Sequence, residues 1–268
     1  MATATARRSH ATPTKILLYL AGAALAVALV LAGAFALLGA AVRDSFDVRA
    51  SYAHVRTLVV KTDNGAIKLT GAPAGEPVAV TAHVERGLDE PRRSAARGAG
   101  GTLTLTGDCQ GIHVGPCEVG YEIAVPAGTR VVARSGAGPV QATSVEGDPE
   151  VRLSSGAGAV TVHGIRAKAV HLETAAGEIE ATGVDAASVS ATSAAGGVAV
   201  STERAPTELQ AHSDAGSVAI EVPDVPYALH TSAPAGKVID EGLRQDTTSP
   251  RRLSATSDAG DVVVLSVR

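Results

Sequence analysis

The chain has 268 residues, 45% apolar and 19% charged, which excludes both a charged disordered tail and a coiled coil. Aromatic residues make up only 2%, with no Trp, two Phe and four Tyr beside 29 Gly, so a thick core and a base-stacking platform are both excluded. The formal net charge of −4 lacks the basic footprint that phosphate backbones require, and no nucleic-acid partner is expected.

The first element is an uncharged apolar run from Ile16 to Val42. At about 1.5 Å per residue it makes a helix of roughly 40 Å, enough to cross a hydrocarbon layer of about 30 Å. Arg7, Arg8 and Lys15 precede it, while Asp44 and Asp47 follow. Positive charge on the N-terminal side predicts a single-pass membrane protein with residues 1–15 in the cytoplasm and the bulk outside the cell. The competing reading is a signal peptide cleaved near Gly39, Ala40 and Ala41, but apolar stretches of signal peptides run only about 7 to 15 residues. Residues 1–42 hold three Lys or Arg and no acid, which leaves 20 basic against 27 acidic residues in the exported part. That balance gives no electrostatic reason to adhere to anionic lipid.

Residues 43–56 read as a linker. Strands are expected over Arg56–Leu69 and Pro77–Val84, then a polar loop over Glu85–Gly101, then strands over Thr102–Thr106 and Tyr121–Val125. Between the last two lie the only cysteines, Cys109 and Cys117. In an exported chain such a pair most simply closes a local disulfide, contributing about 2.5 kcal/mol in the chain-entropy view; free thiols are the alternative. Two Cys with His113 fall short of a structural zinc set.

From Val131 onward a unit repeats: an alternating run, Ser or Thr, two small residues, Gly, and a β-branched residue two places later. The glycines are Gly138, Gly158, Gly177, Gly196, Gly216, Gly236 and Gly260, spaced 20, 19, 19, 20, 20 and 24 residues apart, with an earlier copy at Gly65. Alternation predicts strands, and each Gly supplies a turn position where φ can be positive. A unit this short cannot bury its own apolar face, so copies must stack. The predicted fold is all-β: a parallel β-solenoid spanning 57–268, built from repeats of about 20 residues and preceded by one transmembrane helix. A β-sandwich of paired hairpins is the alternative. Asp240–Arg252 is a second loop, and Val262–Val267 is expected to form the terminal strand.

These residues resemble a bacterial family of putative adhesins, β-strand-repeat domains of unknown function. The resemblance rests on the recurrent Ser/Thr-x-Ala/Asn-Gly-x-Val/Ile unit and on Tyr121–Gly128, and it spans roughly Val55–Val267. It implies no catalytic residue, and the residues themselves point to no metal or cofactor. The Ala233 copy departs from it by lacking the hydroxyl, and Asp240 stands at an apolar position.

Other side chains have bland readings. The histidines are scattered, and His171 and His230 share a register three coils apart, roughly 14 Å, too far for one metal ion. Asp63, Asp214 and Asp258 precede turn glycines, but the repeat is not the nine-residue period of calcium β-rolls. Glu178 and Glu180 fall on one strand face, the one pair that suits acid–base cleavage of sugars. The expected function is therefore a non-enzymatic, membrane-anchored binding or scaffolding module, with a cell-wall glycan or protein ligand met by a side-chain ladder instead of a pocket. A regulatory envelope module acting through a membrane partner is the alternative, and a carbohydrate-active enzyme stands behind both.

Overall fold

The computed structural model describes residues 21–31, 33, 43–109, 111 and 115–267. Of the expected membrane span, residues 21–31 are helical and exposed. Residues 16–20, 32 and 34–42, with the expected tail 1–15, lie outside the described residues. Among the described residues no helix is long and apolar enough to cross a membrane.

From Asp44 onward the described residues form nineteen strands, joined by short turns and loops, in one mixed sheet that folds over on itself as two facing ladders. In the first ladder β1 (Asp44–Tyr52), β4 (Val78–Arg86) and β7 (Cys117–Pro126) pair antiparallel. Parallel pairing then continues through β3 (Ile67–Ala72), β9 (Val140–Glu146) and the first halves of β11 (Val160–Ala176) and β12 (Ile179–Ala195). It ends with β13 (Val198–Thr202), β15 (Val218–Pro223), β19 (Val262–Val267) and β17 (Val238–Glu241).

The second ladder opens with the antiparallel pair β5 (Arg92–Gly98) and β6 (Thr102–Asp108). Parallel pairing takes over at β2 (Thr57–Asn64), β8 (Arg130–Ala137), β10 (Glu150–Ala157) and the second halves of β11 and β12. Next come β14 (Glu208–Ala215), β18 (Arg252–Ala259) and β16 (Ala228–Ser232). The long strands β11 and β12 serve both ladders because each bends once, at Gly164 (φ 67°) and Gly183 (φ 65°). These two glycines stack with Ser144 (φ 54°) in a second column of left-handed positions, which the repeat pattern alone does not anticipate.

The interior is filled by rows of identical or similar side chains, one from each coil. Leu58, Val131, Val151, Val170, Val189, Leu209 and Leu253 form one such row, each 1% exposed or less. Ile67, Val140, Val160, Ile179, Val198, Val218 and Val262 form its counterpart on the other ladder. Aliphatic rows suit two close ladders, and large rings are confined to the ends. Among the described residues the buried aromatics are Tyr121, toward the N-terminal end, and Tyr227, toward the C-terminal end. Burial pushes both phenols up to about 12.

The repeat glycines line up in one column. A Cβ built on Gly138 would meet the carbonyl oxygen of Gly65 at 2.5 Å, and on Gly158 that of Gly138 at 2.5 Å. The column continues through Gly177, Gly196 and Gly216. The positive-φ argument holds at Gly65, Gly138, Gly196, Gly216 and Gly260. It fails at Gly158, Gly236 and Gly177, whose φ values lie outside the left-handed region. There the requirement is close backbone approach, since a Cβ on Gly177 would stand 2.4 Å from the Gly158 carbonyl oxygen. The hydroxyls of the repeat also act between coils. Ser155 donates to the Gly138 carbonyl at 2.8 Å, Ser193 to Gly177 at 2.9 Å and Ser213 to Gly196 at 2.8 Å.

The structure departs from the sequence-based expectation in four places. The sheet is mixed, since β1, β4, β5, β6 and β7 include antiparallel pairs, so a wholly parallel solenoid is not what forms. The segment expected as a linker contains β1, because Phe46, Val48, Ala50 and Tyr52 alternate and pair along β4. The expected loop Glu85–Gly101 contains β5, whose arginines disguise a strand. Finally, Val262–Val267 is not the terminal strand of the stack. Coil β18–β19 is inserted between β14–β15 and β16–β17, so β16 and β17 form the edge.

Candidate binding site

At the N-terminal end the two ladders stop at β1 and β5, and the interior between them is open. Strand alternation turns Val48, Ala50 and Tyr52 of β1 toward Arg93 and Ala95 of β5, and all of them line a slot of about 360 Å³. That volume falls within the range of small-ligand pockets. Val80, Leu105 and Tyr121 supply further apolar lining. The slot persists because the inward positions of β5 are Arg93, Ala95 and Arg97, where other strands place Val, Ile or Leu.

Arginine–aromatic contacts join the two ladders across this open end. The Arg93 guanidinium lies 5.3 Å from the Phe46 ring centroid, and Arg97 lies 5.4 Å from that of Tyr52. Arg86 approaches Phe46 as well, at 5.5 Å. Glu90 lines the slot and meets Arg93 at 3.4 Å and Arg86 at 3.6 Å. Arg93 Nε is nevertheless buried without a hydrogen-bond partner. Tyr121 donates its hydroxyl to the Thr106 carbonyl at 2.7 Å, which satisfies the buried phenol. None of Phe46, Tyr52, Arg93 or Arg97 stands out in the sequence. Their signal was the period-two spacing in 46–52 and 93–97, hidden by charge and by proximity to the apolar span.

The residues that the sequence does single out sit elsewhere. Cys109 and Cys117 are joined, with Cα atoms 5.9 Å apart, and the Cys109 amide donates to Asp63 at 3.1 Å. His113 lies outside the described residues. Glu178 falls in the turn beside Gly177, one residue before β12, and Glu180 is on β12, flanked by Thr161 and Ala199; both are exposed on either side of buried Ile179. His171 and His230 are four coils apart, not three, because of the inserted coil. His212, Asp214 and Asp258 do come together, with ligand atoms within 4.8 Å. Both His212 nitrogens are occupied there, Nδ1 by Thr256 and Nε2 by Asp214, each at 2.8 Å.

Two acids elsewhere act as staples between coils. Burial raises the Glu150 carboxyl, but hydrogen bonds from Arg130 and Arg152 outweigh it and hold the group below the usual range. Asp185, 8% exposed, is held low by Arg204 first and by Arg166 as well, against the effect of burial.

The sequence profile of the Toastrack DUF4097 family matches residues 124–267, more than half of the chain. The chain belongs to this family. The Toastrack match covers the parallel coils from β8 onward, while the slot walls, Val48 to Tyr121, all precede it. The fold is similar to that of a putative adhesin from Bacteroides fragilis, at 12% identity and TM-score 0.46, covering 84% of this chain and 97% of that one. A putative lipid binding protein from Parabacteroides distasonis shows 9% identity and TM-score 0.45 over the same shares. A putative adhesin from Parabacteroides merdae shows 10% and 0.42, again over 84% and 97%. No curated protein matches the chain.

Proposed function

We propose that this Toastrack protein is an exported binding or scaffolding module of the cell envelope, held in the membrane by residues 16–42 and working without catalysis. Its parallel coils act as a solenoid-like body, hydrogen-bonded from coil to coil, and the ligand is met at the N-terminal slot. The observation that carries this reading is the slot itself: an apolar opening of about 360 Å³ where the two ladders stop at β1 and β5. The charge asymmetry around residues 16–42 supports the topology. A cell-wall glycan or an envelope protein is the ligand class proposed for the outer faces of the coils, apart from the slot.

A regulatory reading is favoured by one feature. β1 follows the apolar segment directly and is also a slot wall, so occupancy bears on the chain that leads toward the span.

Protease added outside intact protoplasts should remove the domain and spare an N-terminal epitope; a domain protected from external protease overturns export. Immobilised full-length chain should retain envelope material, and Ala50→Trp, which fills the slot, should lower retention. Retention untouched by that substitution overturns the slot as the binding site.

A further inference from the structure

The slot has a chemically divided lining. Its apolar lining is aliphatic and aromatic, formed by Val48, Ala50, Val80, Leu105 and Tyr121. Its polar lining includes one guanidinium, Arg93, beside Glu90 and Ser94. Arg93 lines the slot itself, and Arg86 and Arg97 stand at the Phe46 and Tyr52 rings. Glu90 pairs with Arg93 and Asp44 with Arg86, which offsets much of this charge, yet Arg93 Nε is left buried with no acceptor. A buried donor without a partner is costly, and a guanidinium recognises carboxylate or phosphate oxygen best. Lining of this kind suits a ligand with a hydrocarbon body and one anionic head, and it disfavours a sugar, whose many hydroxyls would meet no partners along Val48, Ala50 and Val80.

We infer that the slot takes an anionic amphiphile, its alkyl chain lying between β1–β4 and β5–β6 and its carboxylate or phosphate head on Arg93. This inference rests on the reading of the slot as the binding site and names the ligand class. The arginine–aromatic pairs Arg93–Phe46 and Arg97–Tyr52 cross the entrance, so seating the head exchanges a ring face for an oxyanion at Arg93. Glu90, already shared between Arg93 and Arg86, keeps Arg86 as its partner when the head arrives.

The test uses full-length chain in nanodiscs of zwitterionic lipid and a medium-chain alkyl carboxylate carrying a photoreactive diazirine. Mass spectrometry of the labelled chain should place adducts on peptides holding Val48, Val80 or Leu105. An alkyl trimethylammonium probe of the same length should label them at least about tenfold less, as expected when a charge-assisted hydrogen bond is replaced by repulsion. Arg93→Gln should lower carboxylate labelling by a similar factor, with an unchanged melting temperature confirming the fold. The same diazirine chain carried on phosphatidylglycerol in the nanodisc separates the two sources: labelling by it assigns the ligand to the bilayer, and labelling by the free carboxylate alone assigns it to a soluble amphiphile. Equal labelling by the cationic probe, or adducts confined to residues 16–42, overturns the inference. Because the wild-type comparison needs no variant, it stands even if Arg93→Gln misfolds. If Ala50→Trp lowers retention of envelope material while no acyl probe labels the slot, the ligand class is wrong and the functional reading survives. A domain found inside the cell overturns the functional reading without touching the labelling result.

Discussion

Ser257 donates its hydroxyl to the carbonyl oxygen of Gly216 at 2.8 Å, across 41 residues of sequence. The other hydroxyl–glycine bonds from Ser155 to Ser213, such as Ser213 to Gly196, join neighbouring repeats in the chain. The exception fixes the order of coils: the last repeat lies against the one at Gly216, and the repeat at Gly236 is pushed outward onto Gly260. The edge coil carries Ala233 where the others have Ser or Thr, so it brings no hydroxyl to the carbonyl of the coil it covers.

That row makes a pair of opposite predictions. Ser213→Ala should destabilise the chain by about 1–3 kcal/mol, since Ser213 is fully buried and the Gly196 carbonyl loses its donor. Ala233→Ser should raise stability by up to about 1 kcal/mol by supplying a hydroxyl to the coil of Gly260. Denaturant midpoints of the two variants check this. An unchanged midpoint for Ser213→Ala would show that the hydroxyl row does not bind coil to coil.

The glycine column owes its identity to crowding, and two neighbouring turns separate crowding from mere turn preference. Gly177→Ala drives a methyl toward the Gly158 carbonyl at 2.4 Å and should cost about 1–3 kcal/mol. Gly197→Ala meets nothing nearer than the Ser217 carbonyl at 3.5 Å and should stay within about 0.5 kcal/mol. Equal melting-temperature shifts would refute the close-approach account.

Ending the chain at Ser249 removes β18 and β19 from between other coils, and with them the partners of Leu209 and Ile220. Hydrogen exchange should then accelerate across 208–223 and across 228–241 together. If 228–241 stayed protected, its strands would have another partner and the inserted order would be wrong.

The Asp185 staple predicts a pH dependence with a definite sign. Arg204, then Arg166, hold the carboxyl below the ordinary aspartate value near 3.9, so the unfolded chain takes up the proton first as pH falls. Its contribution is complete above about pH 5 and disappears as pH drops through the lowered folded value. Denaturant midpoints should therefore place Asp185→Asn below the parent chain at neutral pH, with the gap closing toward pH 3. A gap independent of pH would assign the effect of the substitution to packing.

The repeat was legible from the sequence because its cause is local and recurs: alternation turns one face inward, and Gly is the residue that admits another backbone within contact. The positions of Gly65 through Gly260, the all-β class and the family resemblance follow from that alone. Coil order was not legible, because the turns at Gly216, Gly236 and Gly260 read alike and only the competition between edges for Leu253 and Val262 decides which coil is covered. The slot was equally hidden. Arg93 and Arg97 read as loop, and Phe46 and Tyr52 as linker, since each half of the arrangement is polar or isolated on its own. Only the facing of β1 and β5 turns a charged strand and an aromatic one into walls of a single opening, and that facing is a property of the folded chain.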